Sequence, residues 1–344
     1  MNSLAATTDR EIEMSLSTPG APVIEAVRRL PGDFAVLGVG GKMGTTVAVM
    51  LRRALDAAGR TSANVFGVSR FSRPDTRRGL EELGVVTQAC DLAEATEVGA
   101  LPDAANVLFL AGQKFGTEAN PEATWIQNTV VPALVAQRYR AARLVVFSTG
   151  CVYPFASVTS RGSQESDGVA FNGEYAATCV GRERVFSHYS RRLGTKLLLF
   201  RLNYAVELRY GVLVDIATKV RRNEPIDVTT GWFNCIWQGD ACAQAIRALE
   251  HAGSPPEILN VTGPEKLSVR EIATEFGRAF GSEPRFIGEE APTGWLADAG
   301  RAEAWFGRPT VTVAQMIVRI AGHLQKGGAL LDKPTHFETR SGNF

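Results

Sequence analysis

Histidine is scarce in this chain: four residues, at 188, 251, 323 and 336, too far apart to suggest a metal centre or a catalytic triad. The five cysteines, at 90, 151, 179, 235 and 242, are odd in number and form no C-x-x-C pair, so they read as reduced thiols in a cytoplasmic setting. A surplus of charge is missing too. Lys+Arg number 37 against Asp+Glu 36, a formal net charge of +1. That leaves no global attraction to nucleic acid or to an acidic membrane surface, and favours a small-molecule partner. No apolar run is long enough to span a bilayer. The opening residues carry acids and lack an apolar segment, so they do not read as a signal peptide. Internal repeats and low-complexity tracts are absent. Residues 1–32 are expected to be a mobile or loosely packed extension, and 331–344 a tail without periodic pattern.

What is present is alternation. "DFAVLGVG" (33–40) is a short apolar run ending in glycines, and "TTVAVMLRRALDAAG" (45–59) carries apolar residues at helical spacing. Strand-like runs follow at 64–68, 84–88, 106–111, 143–149 and 196–202, with helices near 122–140 and 175–193. Alternating buried strands and helices predict an α/β fold, a doubly wound parallel sheet of Rossmann type. After residue 203 the pattern loosens, with helices near 240–251, 268–280 and 312–325. The expected division is a dinucleotide-binding domain at 33–203 and a smaller α+β substrate lobe at 204–330, with room for an exchange of segments between the two. Ligands in such folds lie in the crevice at the carboxyl ends of the strands.

Gly38, Gly41 and Gly44 stand between the first strand and the first helix of that domain. Glycine suits this place because the turn is tight and the backbone must approach a pyrophosphate, which the helix N-terminus favours. Lys42 and Met43 within the turn, and Leu110 and Ala111 at the end of the fourth strand, join the expected cofactor contacts. No acid follows the second strand. Ser69 and Arg70 stand there instead, and a guanidinium suits a 2′-phosphate, so NADP is preferred over NAD. Arg77 and Arg78 read better as a solvated basic face. Asp91 after the third strand has two readings, a contact to the adenine amino group or a cap for the helix that follows.

With "FLAG", "QN" at 127–128, "VVFSTGCVYPF", "GEYAATC", "RLN" at 201–203 and "NVTGPEKLSVREIA" in order, the chain resembles the extended short-chain dehydrogenase/reductases, the NAD-dependent epimerase/dehydratases. "AGQKFGTE" is similar to the matching stretch of UDP-galactose epimerases. The resemblance implies that Tyr175 is the catalytic tyrosine and Thr149 the hydroxyl that hydrogen-bonds the reacting oxygen. It also implies a homodimer through the helices near 122–140 and 175–193. The family places a lysine four residues after the tyrosine; here that residue is Cys179. A free tyrosine has a pKa near 10, so ionising it at pH 7 costs roughly 4 kcal/mol, part of which such a lysine offsets. A neutral thiol supplies no charge, and Cys179 itself reads as an inert small hydrophobe beside the cofactor. Three explanations stand: another cation substitutes, with Lys114 first and Arg182 second; the reaction needs only a neutral phenol; or the protein binds nucleotide without turnover.

Nucleotide-sugar members usually clamp the substrate's diphosphate with two arginines. Phe233 stands where one is expected, and Glu289 and Glu290 near the other. This argues against a nucleotide-diphosphate sugar. Trp232, Phe233 and Trp237 then either wall a pocket for a smaller polyol, sugar or sugar acid, or form core, and Asn203 is a candidate pocket residue. The leading expectation is an NAD(P)-dependent oxidoreductase or epimerase acting on a secondary alcohol. The alternative is a nucleotide-binding regulator or scaffold that lost turnover with its lysine.

Overall fold

The structure, a computed structural model, describes residues 8–114, 116–117 and 119–342. Its centre is a parallel sheet of seven strands. Five are β1 (Phe34–Leu37), β2 (Val65–Ser69), β3 (Val86–Ala89), β4 (Asn106–Phe109) and β5 (Arg143–Thr149). Lys196–Leu202 and Glu257–Val261 complete it, in the spatial order Glu257–Val261, Lys196–Leu202, β5, β4, β1, β2, β3. Every residue of β1 and β4 is buried, as expected of central strands covered on both faces.

Helices α1 (Asp9–Leu16), α2 (Ala21–Arg29) and α3 (Lys42–Ala57) precede β2. Between the later strands come α4 (Pro74–Glu82), α5 (Ala95–Gly99), α6 (Pro121–Trp125), a π-turn (Ile126–Val130), α7 (Val131–Arg138) and α8 (Gly173–Leu193). Then follow α9 (Val212–Arg221), α10 (Gln238–Ala248), α11 (Val269–Phe280), α12 (Gly300–Phe306) and α13 (Val313–Gln325). One face of the sheet is covered by α2, α3 and α10, the other by α5, α7 and α8. Helices α9, α11 and α13 gather a second core around Phe233, Ile272, Phe276 and Ile320. The chain therefore re-enters the large sheet at 238–261, since α10 packs on it and Glu257–Val261 forms its edge.

The N-terminal extension is closely packed rather than loosely packed over residues 9–30; residues 1–7 lie outside the described part. Thr8 and Glu11 form a reciprocal capping box that starts α1. Ile12 and Leu16 bury in the smaller lobe's core, while Val23, Val27 and Leu30 bury against the large domain. Arg60 donates to the Val27 carbonyl (2.5 Å), and Arg53 to that of Met14 (2.6 Å), so both helices are also held by their carbonyls. The tail is likewise ordered against the protein, with Thr335 and Phe337 buried.

Candidate functional site

The glycine turn is built as the sequence requires. Gly38 has φ +91°, and a Cβ there would stand 2.7 Å from the Ala111 nitrogen and 2.9 Å from the Leu110 carbonyl carbon. The turn can therefore close against the end of β4 only with glycine. A Cβ on Gly44 would meet the backbone of Gly38 and Val39, so helix α3 seats tightly on its strand. Gly41 caps α3, whose first turn carries no acid. Free backbone N–H groups and an absence of negative charge there fit the pyrophosphate of a dinucleotide.

Ser69 reaches this turn, with its Oγ 2.8 Å from where a Cβ on Gly40 would stand. Arg70 is exposed and, among the described residues, has no ion-pair partner. Arg77 and Arg78 pair within α4 to Glu81 (2.9 Å) and Asp75 (3.1 Å), which matches a solvated face. Asp91 Oδ1 accepts the Ala93 amide (3.0 Å), so one carboxylate oxygen already caps the local turn.

Lys42 leaves the turn for the smaller lobe. Its Nζ donates to the Ala205 carbonyl (3.3 Å) and lies 3.9 Å from the centre of the Tyr210 ring. Burial pulls the ammonium down to about 7, against a partial counter-pull from Glu207. Met43 packs on the large domain's core.

At the far side of the crevice, Thr149 ends β5 and Tyr175 rises from the first turn of α8. Thr149 Oγ1 accepts from the Cys151 amide (3.1 Å) and hydrogen-bonds the Tyr175 phenol. Burial, with the Cys179 and Cys151 thiols beside it, holds that phenol well above its usual value near 10, while Arg182 and Thr149 pull the other way without prevailing. Cys179 is fully buried, and burial pushes its thiol up to about 11, so it is neutral at pH 7. Lys114 faces this group: burial lowers its ammonium, while Cys151, Asp215 and Cys179 oppose the shift. Thr149, Tyr175, Cys179 and Lys114 are thus brought together. Arg182 lies under the same cluster, buried, donating to the Phe147 carbonyl (2.9 Å) and to Asn128 Oδ1, with no carboxylate partner among the described residues.

Asn128 is the residue that motif reading underrates. Its amide nitrogen donates to the Gln113 carbonyl (3.0 Å) and Thr178 Oγ1 (2.9 Å), and its oxygen accepts from the Gln113 amide (3.0 Å) and Arg182. It sits in the π-turn, and the extra residue of that turn aims it at the loop carrying Lys114. Its only sequence trace is the "QN" pair.

Two substrate candidates sit elsewhere than expected. Phe233 is buried in the smaller lobe's core, edge-on to Tyr204 at 6.2 Å, so it walls no pocket. Asn203 spends its amide nitrogen on Asn234 Oδ1 (2.8 Å) and the Trp295 carbonyl (3.1 Å), a brace between segments. Among the described residues, no three His, Cys, Asp or Glu are grouped to hold a metal ion, and no helix is long and apolar enough to cross a membrane.

A parallel sheet with a glycine turn beyond β1 and a Thr–Tyr pair beyond β5 defines a Rossmann-type α/β fold. The profile of the NAD dependent epimerase/dehydratase family matches residues 34–262, and the chain belongs to that family. Its fold is similar to UDP-glucose 4-epimerase of Thermotoga maritima solved with UDP-glucose, at TM-score 0.69 and 15% identity over 86% of this chain and 99% of that one. It is also similar to UDP-glucose 4-epimerase of Thermus thermophilus in complex with NAD, at 0.67 and 20% over 85% and 99%. A third is UDP-glucuronic acid 4-epimerase of Bacillus cereus with UDP-glucuronic acid and NAD, at 0.69 and 16% over 86% and 99%. No curated protein matches the chain in sequence.

Proposed function

We propose that this protein is an NAD(P)-dependent epimerase or oxidoreductase acting on a secondary alcohol of a compact carbohydrate-like substrate. The observation that carries the reading is the Thr149–Tyr175 hydroxyl pair at the carboxyl ends of the strands, on the same sheet edge as the glycine turn, with Lys114 and Tyr175 sharing the Cys151 and Cys179 thiols as neighbours. When bound, the nicotinamide supplies or accepts the hydride. Thr149 and Tyr175 hold the reacting oxygen by hydrogen bonds, and Tyr175 gives or takes its proton. At neutral pH the resting phenol is protonated, so its first competence is as a donor. Lys114 and Arg182 supply the positive charge that Cys179 cannot, each lowering the cost of a phenolate at Tyr175.

Gly38, Lys42, Gly44, Ser69 and Arg70 would hold the dinucleotide, with the unpaired guanidinium of Arg70 favouring NADP. A compact substrate is supported by the fate of the charges near the smaller lobe. Phe233 lies in core, Glu290 pairs with Arg270, Arg221 is spent on the Leu324 carbonyl and Arg222 faces Glu224 at 3.9 Å. A diphosphate would find little to grip there, although two of the similar structures were solved with UDP-sugars. A homodimer through the π-turn and α8 belongs to the same proposal.

Tyr175→Phe tests the reading. It is expected to abolish turnover while leaving cofactor uptake, read by native mass spectrometry, unchanged. Retained turnover would exclude Tyr175 as the proton-transfer group, and a chain that takes up neither NAD nor NADP would exclude the oxidoreductase.

A further inference from the structure

The last described residues do not stay on the lobe from which they emerge. After α13 the tail is tied to α9, where the Thr335 amide and Oγ1 both donate to Asp215 Oδ2 (2.8 and 2.5 Å). Phe337 is buried in the smaller lobe's core, Glu338 pairs with Lys219, and the Glu338 carbonyl accepts from Thr230 Oγ1 (3.1 Å). Arg340 then donates to the carbonyl and hydroxyl of Thr293 (2.9 and 2.6 Å), its guanidinium 3.9 Å from the centre of the Phe155 ring.

Finally Gly342 lies on Asn172 and Gly173. Gly173 has φ +77°, and a Cβ there would stand 2.7 Å from the Gly342 oxygen, so this approach needs glycine on the α8 side. Gly173 opens α8 two residues before Tyr175. The tail therefore spans from the smaller lobe to the catalytic helix, and on the way Glu338 and Asp215 come within electrostatic reach of Tyr204, which in turn faces Cys151.

We propose that residues 332–342 are a strap across the mouth of the substrate crevice, and that this strap determines specificity by admitting compact sugars, polyols or sugar acids and refusing bulky substituents. The inference rests on the proposed substrate site, which it deepens by naming the element that sets substrate size. Its anchors run from Asp215 on α9 to Asn172 and Gly173 at the start of α8, two residues before Tyr175. Apart from Phe337, its hold is by hydrogen bonds, ion pairs and one stacked guanidinium rather than by a packed apolar face, so the strap can lift locally without unfolding the lobe. A substrate with a long substituent would have to keep it lifted.

Cys151 is the reporter, because it lies beside Thr149 and Tyr175 and is partly accessible while the other four cysteines are buried. The experiment compares the intact chain with Arg340→Ala and with Thr335→Val/Arg340→Ala, following alkylation by N-ethylmaleimide at each cysteine by peptide mass spectrometry. The same alkylation is run with the bulky fluorescein-5-maleimide. The strap predicts that Cys151 alone reacts faster on release, on the order of tenfold in the double variant, and that the bulky reagent gains more than N-ethylmaleimide. Equal Cys151 rates in all three chains, or an equal gain for the two reagents, would overturn it. Faster reaction at all five cysteines would mean global loosening and would count against a local strap. The alkylation readout needs no turnover and no cofactor, so it stands or fails separately from the proposed reaction.

Discussion

Lys42 is the residue whose surroundings make the sharpest statement about pH. An unfolded lysine titrates near 10.5, whereas burial brings Lys42 to about 7. Below pH 7 the ammonium is charged in both states and the folded chain carries the full cost of burying it. Between 7 and 10.5 the folded chain has lost the proton while the unfolded chain keeps it, so the cost fades as pH rises. Lys42→Met is therefore expected to raise the melting temperature by several degrees at pH 6 and by much less at pH 9.5. A pyrophosphate at the start of α3 would offset the same cost, so added NAD or NADP should raise the melting temperature of the wild type more than that of the variant. Melting curves at the two pH values, with and without dinucleotide, decide it; an equal gain at both pH values would refute the buried ammonium.

At the scale of elements, the strands at 143–149 and 196–202 were legible to the residue, because a buried parallel strand is an unbroken apolar run bounded by polar or glycine residues. The glycine turn was legible because it directly follows such a run, whereas Thr149 and Tyr175 were singled out by the family resemblance and carry no local pattern of their own. The N-terminal helices were not, because Asp9, Glu11, Glu13 and Arg10 dilute the apolar spacing that Ile12 and Leu16 mark. The tail could not be read at all, because its order comes from anchors distant in sequence. The π-turn was equally hidden: one extra residue in a helix changes no composition, yet it places Asn128 between Gln113, Thr178 and Arg182. Asn128→Ala should leave the Arg182 guanidinium one acceptor short in a buried place. The expected cost is about 1–3 kcal/mol, seen as a lower denaturation midpoint with unchanged slope. Activity should fall further than stability, because the Lys114 loop loses its tie to α8. A variant as stable and as active as the parent would reduce Asn128 to an incidental contact.

Over the whole molecule, α1 and the tail act as braces between the two lobes. Helix α1 joins the lobes behind the crevice, where Arg209 of the smaller lobe meets Asp9 at 3.0 Å and Arg53 of α3 meets the Met14 carbonyl. The tail joins them in front. Among the described residues, an exposed apolar row stands beside α8. Trp125, Ile126 and Val130 are each exposed by more than two fifths on or beside the π-turn, and Trp125 donates to Glu174 (2.8 Å), three residues after the exposed Phe171. Single exposed apolar side chains need no explanation, but a row of them beside α8 calls for a covering partner. A second copy of the chain meets that requirement, and a two-fold contact would set this row against its own image. The wild type should therefore sediment at twice the chain mass. Ile126→Glu/Val130→Glu should sediment at the mass of one chain with little change in melting behaviour beyond that of losing the partner, because both side chains point away from their own core. A wild type that sediments as a monomer at high concentration would remove the dimer and leave the row to a different partner.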